Sequence, residues 1–267
     1  SIDANRFIIQ KEKTTMLALA RKNKIRELIS EKKNVTVSEL AELFAVTEET
    51  VRRDLKSLEE LGVLQRTYGG AFIQDGVNND IRTSLRETIL IPNKQRIAKK
   101  CAAFINNGDT ITLDASTTAL HICDEIKNKR LTVLTDSLKI ANYLAEFENI
   151  QLISTGGTFN STYASFVGKS ARLTIREHFV DKAFVSCRSL DKEHGITEAC
   201  EELAANRKLL MERANQVYLI ADHSKFDRVS FVNICGFDQI DALIVDKILC
   251  PEWHDFLEQN GVMLYEC

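Results

Sequence analysis

No apolar run in this chain is long enough to cross a bilayer, so a membrane-embedded function is not expected. No CxxC pair occurs among the seven cysteines, Cys101, Cys123, Cys187, Cys200, Cys235, Cys250 and Cys267. Their odd number and wide spacing argue against a disulfide framework. With no signal peptide visible, the expected compartment is the cytoplasm and the expected state is reduced thiols, several of them buried. The histidines, His121, His178, His194, His223 and His254, share no short ligand spacing and do not neighbour the cysteines, so no metal site is expected. There is no Walker-type loop, and Gly156-Gly157 is not a dinucleotide fingerprint. A strong positive excess is also missing. The formal charge is -3, which argues against a general nucleic-acid coat.

The 267 residues suit a small domain plus a larger one, with the apolar and charged shares of a globular chain. Residues 1–72 carry 13 Lys or Arg against 11 Asp or Glu, and the remainder carries 22 against 27. A nearly neutral module with positive groups at a few places suits recognition of particular DNA sites by a dimer. Residues 1–15 lack a clear period and enter no functional argument.

The stretch TVSELAELFAVTEETVRRDLKSLEELGVLQRTYGG, residues 36–70, reads as a helix-turn-helix followed by a wing. Thr36 and Glu39 form a capping-box pattern before a helix over 38–44, and Ala45-Val46 is the turn. Thr47 then caps a second helix to about residue 60, closed by Gly62. Val51, Leu55, Leu58 and Leu61 recur at three- and four-residue spacing and face a core, which leaves Thr50, Arg52, Arg53 and Lys56 outward. Such a helix fits the DNA major groove. Adjacent arginines early in a helix oppose the dipole, which a phosphate or base edge would explain. The competing reading is a small helical hairpin with charged outer faces. Residues 63–68 read as short strands of the wing, with Gly69-Gly70 closing it.

A helix over 16–33, with Leu17, Ala20, Ile25, Leu28 and Ile29 as its stripe, would complete a three-helix core. Its Arg21, Lys22 and Lys24 suit DNA phosphates or a solvated face equally. Residues 74–80 form the linker. Residues 81–91 are ambiguous, Pro92 breaks them, and a helix follows over 94–106. From residue 109 strands alternate with helices: strands over 110–113, 131–134, 150–154, 180–186, 217–220 and 242–245, and helices from Ser116 or Thr117 to 126, over 137–144, around 168–177 and over 198–214. That alternation argues a mostly parallel sheet with helices on both faces.

Ligands of such sheets bind beyond the carboxyl ends of the strands. Asp114, Ser116, Thr117 and Thr118 end one strand and open a helix, where amides and hydroxyls suit an oxyanion or serve only as caps. Thr155-Gly156-Gly157, at another strand end, lets backbone approach a ligand or simply makes a turn. Asp222, His223, Ser224 and Lys225 lie at a third. Lys225 suits a phosphate, while Asp114 or Asp222 suits sugar hydroxyls. His121 either reaches the pocket or packs in its helix. His223-Ser224 shows no oriented base, so hydrolysis is not expected. Sugar-phosphate isomerisation is harder to dismiss, because an aspartate beside the ligand could move protons.

The segments VTVSELAELFAVTEETVRRDLKSLEELGVLQRTYGGA, GDTITLDASTTALH, STGG, VDKAFVS and VYLIADHSKF resemble the DeoR family of bacterial transcription regulators over nearly the whole chain. The resemblance implies a repressor of a sugar or sugar-derivative pathway. It also implies a phosphorylated sugar as effector, a sensor domain related to sugar-phosphate isomerases, and oligomeric assembly. Thr47, Thr50, Arg52, Arg53 and Lys56 match the recognition-helix region, and Arg66 and Tyr68 match the wing. Asp114, Ser116, Thr117, Thr118, Thr155, Gly156, Gly157, Asp222 and Lys225 match the effector pocket. Two departures bear on ligand choice. Cys187-Arg188-Ser189 replaces a small, glycine-bearing stretch, and Arg207 stands where lysine is common, giving a planar donor set in place of a point charge.

The expectation is an α/β protein with a winged helix-turn-helix over 16–72, a connecting segment over 73–92 and a mostly parallel sensor domain over 93–267. Its partners would be double-stranded operator DNA, a sugar phosphate and further copies of itself, as homodimer or homotetramer. No cofactor, metal or catalytic residue is expected. A sugar-phosphate isomerase or lyase with an accessory domain, or a winged-helix protein-interaction module, are the alternatives.

Overall fold

The computed structural model describes residues 18–32, 34–60, 64–72 and 83–267. The chain forms two compact units, Ser1–Asp75 and Gly76–Cys267. Leu17, Leu61, Gly62, Val63 and the expected linker 74–80 lie outside the described residues.

In the first unit a helix Ala18–Lys32 leads through strand β1 (Asn34–Thr36) to the helices Val37–Phe44 and Glu48–Glu60, then to β2 (Gln65–Arg66) and β3 (Gly70–Phe72). The capping box is present: Thr36 Oγ1 accepts from Glu39 N at 3.2 Å, and Thr36 N donates to Glu39 Oε2 at 3.0 Å. Ala45 turns the chain at φ 51, and Val46 N closes back on Ala41 O at 3.1 Å. Val51, Leu55 and Leu58 are buried with Ile25, Ile29, Val37 and Leu40, the core their spacing implies. β1 had no sequence signal, because three residues are too few to show a period. It pairs antiparallel with β3, which β2 flanks on the other side. Gly70 is required there: a Cβ would collide with the Val35 carbonyl oxygen. Tyr68 and Gly69 form a bend between β2 and β3, so the wing's strands do not extend over Tyr68.

Two expectations for the first helix fail. Ala20 is exposed, and Arg21 takes the inner face, four residues before Ile25 and eight before Ile29. Arg21 Nε meets Asp54 Oδ2 at 2.6 Å, with both side chains buried. Lys22 Nζ donates to Ser57 Oγ at 2.8 Å, and Lys24 Nζ pairs with Glu27 Oε2 at 2.7 Å. These cations are committed within the domain, two of them to the helix Glu48–Glu60.

The second unit is built on seven parallel strands. Helices Thr83–Arg86 and Ile91–Ala102 precede β4 (Thr110–Leu113), helix Thr117–Ile126, β5 (Leu131–Thr135), helix Leu138–Leu144 and β6 (Ile150–Ser154). A hairpin, β7 (Thr158–Asn160) and β8 (Ser165–Val167), leads to helix Gly168–Glu177 and β9 (Val180–Val185). β10 (Ser189–Asp191), β11 (Gly195–Glu198), helix Glu201–Glu212, β12 (Ala214–Ala221), β13 (Val232–Cys235), β14 (Ala242–Val245), helix Pro251–Gln259 and β15 (Met263–Glu266) complete it. The large sheet has the order β15-β14-β12-β9-β4-β5-β6, and β10-β11-β13 form a small antiparallel sheet. Successive strand residues alternate between two cores. Phe184, Tyr218, Ile220 and Ile244 pack on one face with Ile97 and Ile122. Val185, Leu219 and Leu243 pack on the other with Ile175, Leu210 and Trp253.

Two expectations are corrected in this unit. Pro92 does not break a helix but sits in the first turn of Ile91–Ala102, where its missing N–H is harmless. Glu198 lies in β11, so the long helix begins at Glu201. The hairpin, the small sheet and the last helix and strand carried no recognised pattern.

Candidate functional sites

On the first unit, Arg52, Arg53 and Lys56 lie exposed on the helix Glu48–Glu60, opposite its buried face. Thr47 Oγ1 accepts from Thr50 N at 3.3 Å and shares a 2.9 Å hydrogen bond with Thr50 Oγ1, so this pair builds the start of the helix. Arg52 Nη2 is held by Glu48 Oε2 at 2.7 Å one turn earlier, a structural reason for an arginine in an unfavourable dipole position. Arg66 bridges the wing to the helix, with its N and Nε on the Glu59 carboxylate at 3.0 and 2.7 Å. Arg53 and Lys56 have no such partner among the described residues. Tyr68 stands fully exposed at the wing tip.

In the second unit β4 and β9 are neighbours although β5 and β6 lie between them in sequence. From β4 the chain winds outward in one direction, and from β9 in the other. Their carboxyl ends therefore flank a topological switch point, where α/β sheets open a crevice. Asp114 follows β4 and is fully buried. Its Oδ2 accepts from Ser186 N at 3.0 Å, just past β9, and from Arg207 Nε at 2.7 Å. Arg207 Nη1 is paired with Glu198, so the guanidinium lies between two buried carboxylates. Ser186 Oγ accepts from Lys225 Nζ at 2.6 Å, and Cys187 O accepts from the same ammonium at 2.9 Å. Asp222 caps the short turn that carries Lys225, accepting from Ser224 N at 3.0 Å. Lys225 holds the Asp222 carboxyl below its ordinary range despite burial.

A second buried carboxylate lies beside the first. Asp136 follows β5, and its Oδ2 accepts from Asn206 Nδ2 at 2.8 Å and Ser165 Oγ at 3.1 Å. Burial first, and the Asp114 charge with it, pushes the Asp136 carboxyl up to about 6. Asp114 Oδ1, Asp136 Oδ1 and Asn206 Oδ1 are buried with no hydrogen-bond donor among the described residues. Lys94 is also buried near Asp222 and Lys225, and desolvation brings it down to about 8.

The remaining expected residues are placed as follows. Ser116 caps the helix Thr117–Ile126, accepting from Ala119 N at 3.0 Å, and Thr117 and Thr118 are buried in its first turn. Thr155 N bonds to Thr135 O at 3.0 Å. Gly156 and Gly157 have φ 59 and 105, and a Cβ on Gly157 would sit 2.7 Å from Val167 O, so backbone packing by itself requires that glycine. Arg188 is half-buried, with its N–H on Thr197 O at 2.9 Å. His223 is tied to Asp246 through its N and Nδ1 at 2.7 and 2.8 Å. All seven thiols are free. Among the described residues no group of His, Cys, Asp and Glu is placed to hold a metal ion, and no helix is long and apolar enough to cross a membrane.

Sequence reasoning passed over Lys94, Asp136, Ser186, Glu198 and Asn206. Asp136 had a signal, since an aspartate follows β4, β5, β12 and β14 alike. Asn206 and Arg207 also had one: they interrupt the apolar spacing between Leu203 and Leu210 on the inner face of their helix.

The family model described as the DeoR-like helix-turn-helix domain matches residues 21–76, and the DeoR C terminal sensor domain matches residues 91–247. The chain is 38% identical to an uncharacterized HTH-type transcriptional regulator, YulB of Bacillus subtilis, over 92% of this chain and 96% of that protein. It is 32% identical to the HTH-type transcriptional repressor GlcR of the same organism, over 90% and 93%. Ribose 5-phosphate isomerase A from Methanocaldococcus jannaschii superposes with a TM-score of 0.38 at 18% identity, over 50% of this chain and 53% of that one. That overlap is too slight to carry an argument. The two family models together span both units, and the chain belongs to the DeoR family of helix-turn-helix transcriptional regulators.

Proposed function

We propose that the chain is a repressor of a carbohydrate-utilisation pathway and that a phosphorylated sugar bound at the β4/β9 switch point controls it. One observation carries the ligand class. Buried acceptors without donors, Asp114 Oδ1, Asp136 Oδ1 and Asn206 Oδ1, belong to the same carboxyl edge as two crowded ammonium groups, Lys94 and Lys225. A buried polar atom without a partner costs about 1–3 kcal/mol, which a ligand hydroxyl recovers. Crowded buried cations favour an anion. A hydroxylated anion answers both. Asp222 and the turn at residues 155–157 would line the same crevice, with Ser116, Thr117 and Thr118 presenting the start of a helix. Arg188 would border it, and Arg207 would act by orienting Asp114. The name of the GlcR relative, a repressor, supports the sign of regulation.

On the DNA side, Thr47, Thr50, Arg52, Arg53 and Lys56 would enter the major groove, and Arg66 and Tyr68 would reach the backbone or minor groove. A dimer, alone or paired into a tetramer, would read two half-sites. The test is selection of bound duplexes from a random pool, followed by titration of the winner with and without a panel of sugar phosphates and free sugars. We expect paired half-sites, an affinity change of about tenfold or more with one phosphorylated sugar, and none with its free form. Arg53→Ala should weaken binding about tenfold or more while leaving the ligand response intact. Binding without sequence preference, or an equal response to free sugars, would overturn the reading. Turnover of the ligand would favour an isomerase, for which the high Asp136 carboxyl is the available base.

A further inference from the structure

The hairpin of β7 and β8 has one edge taken and one edge open. On the β8 side, Ser165 bridges Ser137 antiparallel, and Leu138 N donates to Ala164 O at 3.1 Å. Phe166 N donates to Asp136 O at 2.7 Å, and Phe166 O accepts from Asn206 Nδ2 at 2.8 Å. Both backbone groups of Phe166 therefore point away from β7. Residues opposite each other in an antiparallel ladder exchange either both hydrogen bonds or neither. Phe159 stands opposite Phe166, so this pair exchanges none, and their rings close to 5.7 Å. The N–H and C=O of Phe159 consequently face the outer edge of β7, where no described residue takes them.

An open edge is a template for another strand, and charged side chains or prolines commonly guard it. This one has neither. From Asn149 to Gly168 the chain has no charged residue and no proline, although 27% of all its residues are charged. β6 belongs to the same stretch, but the side chains it exposes are the polar Gln151 and Ser154. β7 exposes Thr158 and, at its centre, Phe159, which is 43% accessible. A two-fold axis sets each residue near it against its own copy, so a charge there would face a like charge. An uncharged edge with an aromatic ring at its centre meets that condition.

We propose that the outer edge of β7 is an interface between two copies of this chain, paired antiparallel about a two-fold axis at Phe159. Each Phe159 N–H donates to the carbonyl oxygen of the partner subunit's Phe159, and the two rings pack across the axis. The inner face of the hairpin stays on its own unit, where Ser165 Oγ donates to Asp136 Oδ2. The inference takes up the dimer of the reading above and names its surface, and its test needs neither operator DNA nor ligand.

The full chain is tested by sedimentation velocity across a dilution series and by mild oxidation with copper phenanthroline. Opposed α-carbons of a hydrogen-bonded antiparallel pair lie about 5.5 Å apart, within disulfide reach. Phe159→Cys should therefore form an intersubunit disulfide at residue 159, located by peptide mass. Leu173→Cys, exposed on helix Gly168–Glu177, should not. Phe159→Lys and Phe159→Glu should each raise the dissociation constant of the dimer about tenfold or more, and mixing the two should restore association. Circular dichroism checks that the variants fold. The wild type gives a reading free of any substitution: exchange at the Phe159 amide should slow as the concentration rises through the dissociation constant. No disulfide at residue 159, a dissociation constant within about twofold of wild type in both charge variants, or Phe159 exchange indifferent to concentration would overturn this interface while leaving the dimer and its paired half-sites standing. A wild type that stays monomeric at every concentration would remove the dimer and this interface together.

Discussion

At Asp136 a carboxyl group is kept in a place where its charge is unwelcome. Burial and the Asp114 charge raise it to about 6, while an unfolded aspartate titrates near 3.9. Between those values the folded chain holds a proton that the unfolded chain has released, so folding stability falls as the pH rises through that window. The stabilising proton is fully present below about pH 4 and gone above the folded value. Asp136→Asn, which keeps an acceptor for Asn206 and carries no charge, should stabilise the second unit by on the order of 2–3 kcal/mol at pH 7 and by little at pH 4. Urea unfolding at the two pH values checks this, and an equal difference at both would refute it. Retention of such a group fits a site whose missing donors arrive with a ligand.

At the scale of elements, the wing depends on one close approach. β3 passes β1 where Gly70 faces the Val35 carbonyl, while the neighbouring Gly69 has nothing within 4 Å of where a Cβ would stand. Gly70→Ala should destabilise the first unit by about 1–3 kcal/mol through overpacking, and Gly69→Ala should not. A thermal melt of the two variants separates them, and equal melting would refute the strand pairing as drawn. The same elements show what was readable in advance. Thr36, Glu39 and the Val51, Leu55, Leu58 spacing announce the helix pair because capping and packing are local or periodic. Arg21 had no such announcement. Its inward position depends on Asp54 arriving from another helix, 33 residues away.

For the whole molecule, charge placement sets the mode of DNA binding. The first 72 residues are nearly neutral, and of the cations on the helix Glu48–Glu60 and the wing, Arg52 and Arg66 are paired with glutamates. Under the proposed DNA reading, Arg53 and Lys56 are the cations there without a carboxylate partner among the described residues, and a dimer would bring four of them to the duplex. The slope of log K against log salt should therefore be roughly −4, at about −0.9 per phosphate contact. A slope near −10 would mean a much wider basic footprint than this surface presents.

The candidate site divides along the same line. That Asp114, Thr155, Gly156, Gly157 and Asp222 follow strand ends was legible, because strands ending in polar residues repeat along the chain. Lys94 was not, since one lysine in a helical stretch looks solvated until Ile89, Arg86 and Asp222 are seen around it. By itself the sequence determined the helix pair, the strand-helix alternation and the family, all of which rest on periodicity and local motifs. Only the tertiary structure decided that β4 and β9 are neighbours, that Arg207 and Arg21 serve carboxylates inside their units, and that Asp114 Oδ1, Asp136 Oδ1 and Asn206 Oδ1 lack donors among the described residues. Those outcomes depend on groups distant in the chain meeting where water is excluded, and burial alone turns their partners into a requirement.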